Sequence, residues 1–243
     1  MIHFGSLTIA PQQLVSYLKR SVRIRDICKQ ETYGRIVMAT AQEKGITVDE
    51  EEIQTEANQL RHQMKLESAK ETLRWLDEQL ITPADWEDGI RERLLRQKLA
   101  KYLFEPQVSA YFTQHKLSYD KAILYRIVVR DAPLAQELFY QIAEAETSFY
   151  QAAHQYDISE QRRFYCGYEG QLSRQNLKPD VAAQVFGSKP KDILGPIKSE
   201  QGYDLLMVED FLAAELTDEL RTQIMNQLLN EWLEREVVYL IHQ

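Results

Sequence analysis

Apolar residues recur at Leu14, Val15, Leu18, Val22, Ile24 and Ile27 between Gln12 and Tyr33, an approximate helical stripe that continues through Ile36, Val37 and Met38 toward Lys44. The pattern predicts one long helix, closed by Gly45 as the residue just past its C-terminus. Thr47-Val48-Asp49-Glu50 reads as a capping box, hydroxyl and carboxylate three residues apart. It opens a second helix through Ile53, Ala57, Leu60, Met64 and Leu66, and the run Leu73 to Leu76 prolongs the apolar pattern to Leu80. Thr82-Pro83-Ala84-Asp85 starts another, with Thr as N-cap, Pro at the first helical position and Asp facing the positive helix end. Trp86, Ile90, Leu94, Leu95 and Leu99 form its face; Pro106 interrupts it, and Val108, Ala110, Tyr111 and Phe112 predict a further short helix before Lys116.

From Lys121 the period changes. Ala122 to Val129 is short, β-branched and bounded by polar residues, which predicts a strand. Helical spacing returns over Pro133–Glu146 and over Ser148–Gln155. Gly167, Gly170, Pro179, Gly187, Pro190, Gly195 and Pro196 then punctuate short elements, and Ile193–Ile197 and Tyr203–Glu209 read as strands joined around Gln201-Gly202. A long helix closes the chain from Thr217, with Leu220, Ile224, Leu228, Trp232, Leu233 and Val237. Helices, then a β-α-α-β-β unit, then a helix predict an α+β chain of two modules joined near Ser118.

Composition narrows the function classes. With 243 residues and 44% hydrophobic content the chain has enough apolar material for one large domain or two ordinary ones, which excludes a disordered tail or a fibre. No apolar run approaches the roughly 18 residues of a membrane span. A net charge of -8 repels a phosphate backbone, so nucleic acid is not an expected partner. Met1-Ile2-His3-Phe4-Gly5-Ser6 lacks a basic region followed by an apolar core, so the expectation is a cytoplasmic chain without a secretory signal. Cys28 and Cys166 have neither disulfide-framework nor zinc spacing. Asp49 to Glu52 is better explained as carboxylates in a helix's first turn than as a metal set, and His154 near Asp157 as a surface or capping residue than as an acid/base pair. Neither a metal nor a cofactor is expected.

The segment Gly170-Gln171-Leu172-Ser173-Arg174-Gln175-Asn176-Leu177-Lys178-Pro179-Asp180-Val181, ending at Val185-Phe186, resembles the stretch after the glycine-rich turn of parvulin-type peptidyl-prolyl isomerases. Ile193-Leu194-Gly195-Pro196-Ile197 followed by Gly202-Tyr203 is similar to that family's closing signature in order and spacing. The resemblance covers Lys121 to Phe211. The helical part is similar to the chaperone domain of SurA-like and PrsA-like foldases, through Lys44 to Glu51 and the Leu80-Ile81-Thr82-Pro83 helix start. It implies a helical domain over 1–118, a parvulin-like domain over 119–212 with a four-stranded antiparallel sheet, and a C-terminal helix over 213–243 that completes the helical domain.

The family's reaction is rotation about an X–Pro amide, whose barrier of ~20 kcal/mol reflects the partial double bond. Catalysis consists of holding the twisted amide better than the planar one. Carried over residue by residue, the family's first-strand histidine falls at Arg126 and the histidine after Gly-Tyr falls at Asp204. The Cys or Asp position aligns near Asp157 or Ser159. The proline pocket implied by the resemblance comprises Leu177 where the family has Met, Val181 where it has a larger aromatic, Phe186 and Tyr203. Arg126 and Asp204, of opposite charge, are expected to pair and so replace the lost histidines structurally. The implied function is a foldase or chaperone that binds extended, proline-containing polypeptide, its isomerase activity weak or lost. The alternative is a non-catalytic peptide-binding factor dedicated to one client's maturation or export. The oligomeric state is not readable from the sequence.

Overall fold

The computed structural model describes residues 1–242. The chain divides into two compact units, one formed by residues 1–109 with the stretch from Thr217 onward, the other by Ala110–Leu216. The first division falls inside a helix, upstream of the junction near Ser118.

The helical unit opens with a small antiparallel hairpin, β1 (Ile2–Phe4) and β2 (Leu7–Ile9), turned at Gly5 with φ +60°. The single helix expected from Gln12 to Lys44 is two, α1 (Pro11–Arg20) and α2 (Ile24–Glu43). Between them Val22 adopts φ +56° while Arg23 N–H donates to the Leu18 carbonyl at 2.9 Å, and Ser21 Oγ donates to the Tyr17 carbonyl at 2.9 Å. Hydroxyl and backbone thus terminate a helix that no glycine or proline marks. α2 ends as the sequence predicts: Gly45 sits at φ +68° and Ile46 N–H donates to the Ala41 carbonyl at 2.8 Å.

α3 (Glu50–Gln63) is capped by Asp49, not Thr47: Glu52 N–H donates to Asp49 Oδ1 at 2.9 Å and Asp49 N–H to Glu52 Oε2 at 3.0 Å. The charged cap gains from the helix dipole where a hydroxyl gains little, and the Thr47 carbonyl instead accepts from Lys98 Nζ at 2.7 Å. The Leu73–Leu76 run lies in a separate helix, α4 (Ala69–Glu78), opened by its own Ser68–Glu71 capping box. α5 (Pro83–Tyr119) starts at Thr82 and Asp85, which exchange hydrogen bonds of 2.8 and 3.1 Å. It does not stop at Pro106. Phe104 and Val108 on either side are buried, so the packing of both flanks outweighs the one backbone bond that the proline removes.

The second unit begins with β3 (Lys121–Val129), followed by α6 (Ala132–Ala143), α7 (Phe149–Tyr156) and α8 (Glu160–Phe164). Next come β4 (Tyr168–Ser173), a single 3-10 turn at Arg174–Asn176, α9 (Pro179–Gly187), β5 (Ile193–Ser199) and β6 (Gly202–Leu212). The strands form one sheet in the order β4-β3-β6-β5, every neighbouring pair antiparallel. β4 carries no β-branched residue and a glycine, so its extended form comes from pairing with β3 and not from propensity.

Alternation along β3 sorts the faces. Ile127 and Val129, with Leu205 and Met207 of β6, pack under α6 and α7 against Leu138 and Phe149. Ala122 and Leu124, with Leu206 and Val208, pack under Val185 of α9. A register shift in β5 between Leu194 and Ile197 absorbs Gly195-Pro196. Only glycine fits there: φ is +120°, and an added Cβ would lie 2.6 Å from the Asp204 carbonyl oxygen. The proline sits on an edge strand, where no ladder donor is lost.

The chain closes with α10 (Asp218–Ile241), capped by Thr217. Its Leu229, Leu233 and Val237 share a core with Tyr33 and Val37 of α2 and Leu99 and Phe104 of α5. The last helix therefore completes the helical unit.

Candidate functional site

α9 leaves part of its sheet face uncovered, and a cleft of about 530 Å³ opens there. Leu124 and Leu206 contribute from the central strands, Leu172 from β4, Ile197 from β5, and Leu177 and Val181 from the turn and first residues of α9. Leu177 and Val181 are half-buried, so the wall they form remains open to a ligand. Pro179 at the start of α9 needs no donor and fixes where the helix enters.

The polar end of the cleft is built by β-sheet register. Arg126 stands opposite Leu206, and Asp204 stands opposite Val128, so the two charged residues are diagonal neighbours on one face of the β3–β6 pair. Arg126 Nη2 donates to Asp204 Oδ2 at 2.7 Å, the pair expected from their opposite charge. The other carboxylate oxygen, Oδ1, accepts from Ser199 Oγ at 2.9 Å, because β5 brings Ile197 opposite Asp204. Asp204 is buried and its side chain is 12% exposed, against 28% for Arg126. A carboxylate in that setting is held by two donors, one of them charged, which offsets its loss of water.

Four of the eight candidate residues thus meet in this cleft: Arg126, Asp204, Leu177 and Val181. Phe186 shares the same core beneath α9 but lies outside the cleft lining, with its ring between Arg174, 4.4 Å from its centroid, and Phe211 at 5.9 Å. Tyr203 packs on the opposite face of the sheet, against the cluster under α6 and α7. Alternation decides this, since Tyr203 and Asp204 are consecutive in β6 and point to opposite sides.

Asp157 and Ser159 are not brought to the cleft either. Asp157 is 1% exposed, and its carboxylate accepts from Val128 N–H at 2.9 Å, Ser159 N–H at 2.6 Å and Arg162 Nε at 2.9 Å. It bolts the α7–α8 connection to β3, a structural use of a carboxylate that the alignment position alone does not distinguish from a chemical one. Ser159 caps α8, its Oγ accepting from Arg162 N–H at 3.4 Å. His154, set aside as an acid/base candidate, has Nδ1 3.0 Å from the Arg163 carbonyl.

Ser199 is the partner of Asp204 that sequence reasoning missed, together with the walls Leu124, Leu172, Ile197 and Leu206 and the charged rim that includes Lys178, Lys198 and Glu200. Their signal is the strand pattern itself, but which strands are neighbours decides whether they share a cleft. A second polar cluster lies elsewhere in the unit: Glu209 accepts from both Lys191 Nζ and the Tyr150 hydroxyl. The Lys191 and then the Tyr150 hydrogen bonds hold the Glu209 carboxyl below its usual range, while burial and then Glu209 push the Tyr150 hydroxyl up. Among the described residues no group of three or more His, Cys, Asp or Glu side chains is placed to hold a metal ion.

Residues 131–210 match the PPIC-type PPIase domain, or rotamase, family. β3, which carries Arg126, precedes the matched range and supplies the sheet's central pairing. The foldase protein PrsA of Caldanaerobacter subterraneus is 25% identical over 203 residues, 81% of this chain and 60% of that protein. PrsA of Halalkalibacterium halodurans is 24% identical over 231 residues, 92% of this chain and 68% of its own. The chain thus spans less than two thirds of the Caldanaerobacter protein's length. The crystal structure of a peptidylprolyl isomerase (PrsA) from Bacillus anthracis aligns with a TM-score of 0.49 at 17% identity, over 85% of this chain and 89% of that one. Residues 131–210 of the second unit thus match the PPIC-type PPIase domain, a parvulin-type domain, in a chain similar to the PrsA foldases.

Proposed function

We propose that the chain is a foldase-type chaperone whose parvulin domain binds proline-containing segments of extended polypeptide in the α9 cleft and accelerates their isomerisation weakly or not at all. The carrying observation is the polar end of that cleft. Arg126 and Asp204 stand where the family resemblance places histidines, and they are tied to each other and to Ser199 by bonds of 2.7 and 2.9 Å. An ion pair of this kind keeps the sheet face together, but it stands in place of imidazoles, groups able to change protonation near neutral pH. The apolar wall of Leu177, Val181 and Leu206 remains and suits a pyrrolidine ring.

The test is exchange spectroscopy by NMR on a capped Ala-Ala-Pro-Ala peptide with and without the full chain. The reading expects peptide shifts that report binding, with cis/trans exchange accelerated little or not at all. Acceleration comparable to that of a parvulin with both histidines refutes the loss of catalysis, and absence of any binding refutes the peptide site.

A further inference from the structure

The fold uses only part of what Arg126 can donate. Its Nη2 is held by Asp204, while its Nε is buried with no hydrogen-bond partner. A guanidinium carries several N–H donors in one rigid plane and keeps its charge at any accessible pH. The side chain is 28% exposed, lines the cleft, and has its plane fixed from behind by a carboxylate that Ser199 in turn fixes. What results is a pre-oriented cationic donor beside an apolar wall.

The charges around the cleft say which acceptor it suits. Arg126, Lys178 and Lys198 face Glu169, Asp180, Glu200 and Asp204; Arg126 is already neutralised by Asp204, and Glu169 lies 3.8 Å from Arg162 outside the lining, so the cleft holds no net positive charge. A ligand carboxylate would shed its water there without a net positive charge to receive it; a neutral carbonyl oxygen loses less on entering. Resting on the peptide-binding reading above, we propose that Arg126 donates to the carbonyl oxygen of the residue preceding proline and clamps the X–Pro amide in its planar form.

The consequence follows from amide chemistry. In the planar amide the nitrogen lone pair delocalises onto the carbonyl and charges the oxygen; rotation removes that delocalisation. A strong donor on the oxygen therefore binds the planar ground state better than the twisted transition state, the reverse of what catalysis needs. Arg126 is then a specificity residue that makes the cleft a holder of proline segments with an uncharged residue before proline.

The experiment titrates the full-length chain with capped Ala-Ala-Pro-Ala and Ala-Glu-Pro-Ala peptides by NMR. It compares wild type, Arg126→Lys and the double variant Arg126→Leu/Asp204→Leu. The double variant replaces the ion pair with apolar side chains, a change that folds usually tolerate; a thermal melt checks it, and Arg126→Lys decides the matter if it does not fold. Both variants are expected to bind the alanine peptide at least about tenfold more weakly, the scale of one charged hydrogen bond. The glutamate peptide is expected to bind wild type more weakly than the alanine peptide, and the wild-type-bound alanine peptide to exchange no faster than free peptide. Undiminished binding by both variants, tighter binding of the glutamate peptide, or faster exchange when bound overturns the clamp while leaving the peptide site intact. No binding of either peptide to wild type overturns the peptide site itself.

Discussion

Replacing Asp157 by alanine removes an acceptor that three donors share inside the second unit: Val128 N–H, Ser159 N–H and Arg162 Nε. The carboxylate is fully shielded and the Arg162 side chain is 17% exposed, so little water is at hand to replace what is lost. Hydrogen bonds to a charged group contribute about 1.5–3 kcal/mol each, but these share one acceptor and do not add. Breaking a buried ion pair costs about 3–5 kcal/mol, chiefly through the groups left unpaired, and that is the expected loss. It is a large share of the ~5–15 kcal/mol that holds a typical domain. Asp157→Asn keeps one oxygen but turns an N–H toward one of the three donors, for an expected ~1–3 kcal/mol. All three tryptophans, Trp75, Trp86 and Trp232, lie in the helical unit, so their fluorescence does not report this unfolding. Amide exchange at Val128 and at Ile158, whose N–H donates to the Val128 carbonyl at 2.9 Å, does report it in a urea series. A loss below about 1 kcal/mol for the alanine variant, or a variant of native stability that no longer binds peptide, refutes the structural assignment of Asp157.

Two further outcomes test the fold. Leu233 is fully buried among Tyr33, Val37 and Leu99, so Leu233→Ala is expected to destabilise the helical unit by about 2–5 kcal/mol, read by tryptophan fluorescence in urea. An unchanged midpoint shows that α10 is not part of that core. The Glu209 carboxyl lies below its usual range in the folded chain, so its contribution is complete above the unfolded-state value near 4.5 and is lost as pH falls through the lower folded value. Glu209→Gln is expected to lower stability at neutral pH and to flatten the acid limb of a pH series of thermal melts; an unaltered acid limb removes Glu209 from that titration.

Much of the fold was legible because local signals and tertiary needs agree. The Gly45 helix end, the Thr82-Pro83-Ala84-Asp85 start, the β3 run and the Thr217 cap each carry their own chemistry in a few residues. The failures have the opposite character. Nothing in the residues around Val22 marks a helix end, β4 has no β-branched residue, and α5 runs through Pro106; local hydrogen bonds settle the first, while strand pairing and packing settle the other two against local propensity.

The sequence alone determined the succession of a helical module, a sheet module and a closing helix, three of the four strands of the second unit's sheet, the family resemblance, and the replacement of both expected histidines by residues of opposite charge. Whether Arg126 and Asp204 meet was decided by the register of β3 against β6, and the addition of Ser199 by the pairing of β5. Tertiary structure also separated Tyr203 from its neighbour Asp204 and gave Asp157 to a buried turn. The physical reason is that a residue's type fixes which bonds it can make, whereas strand register and face fix which partners are within reach.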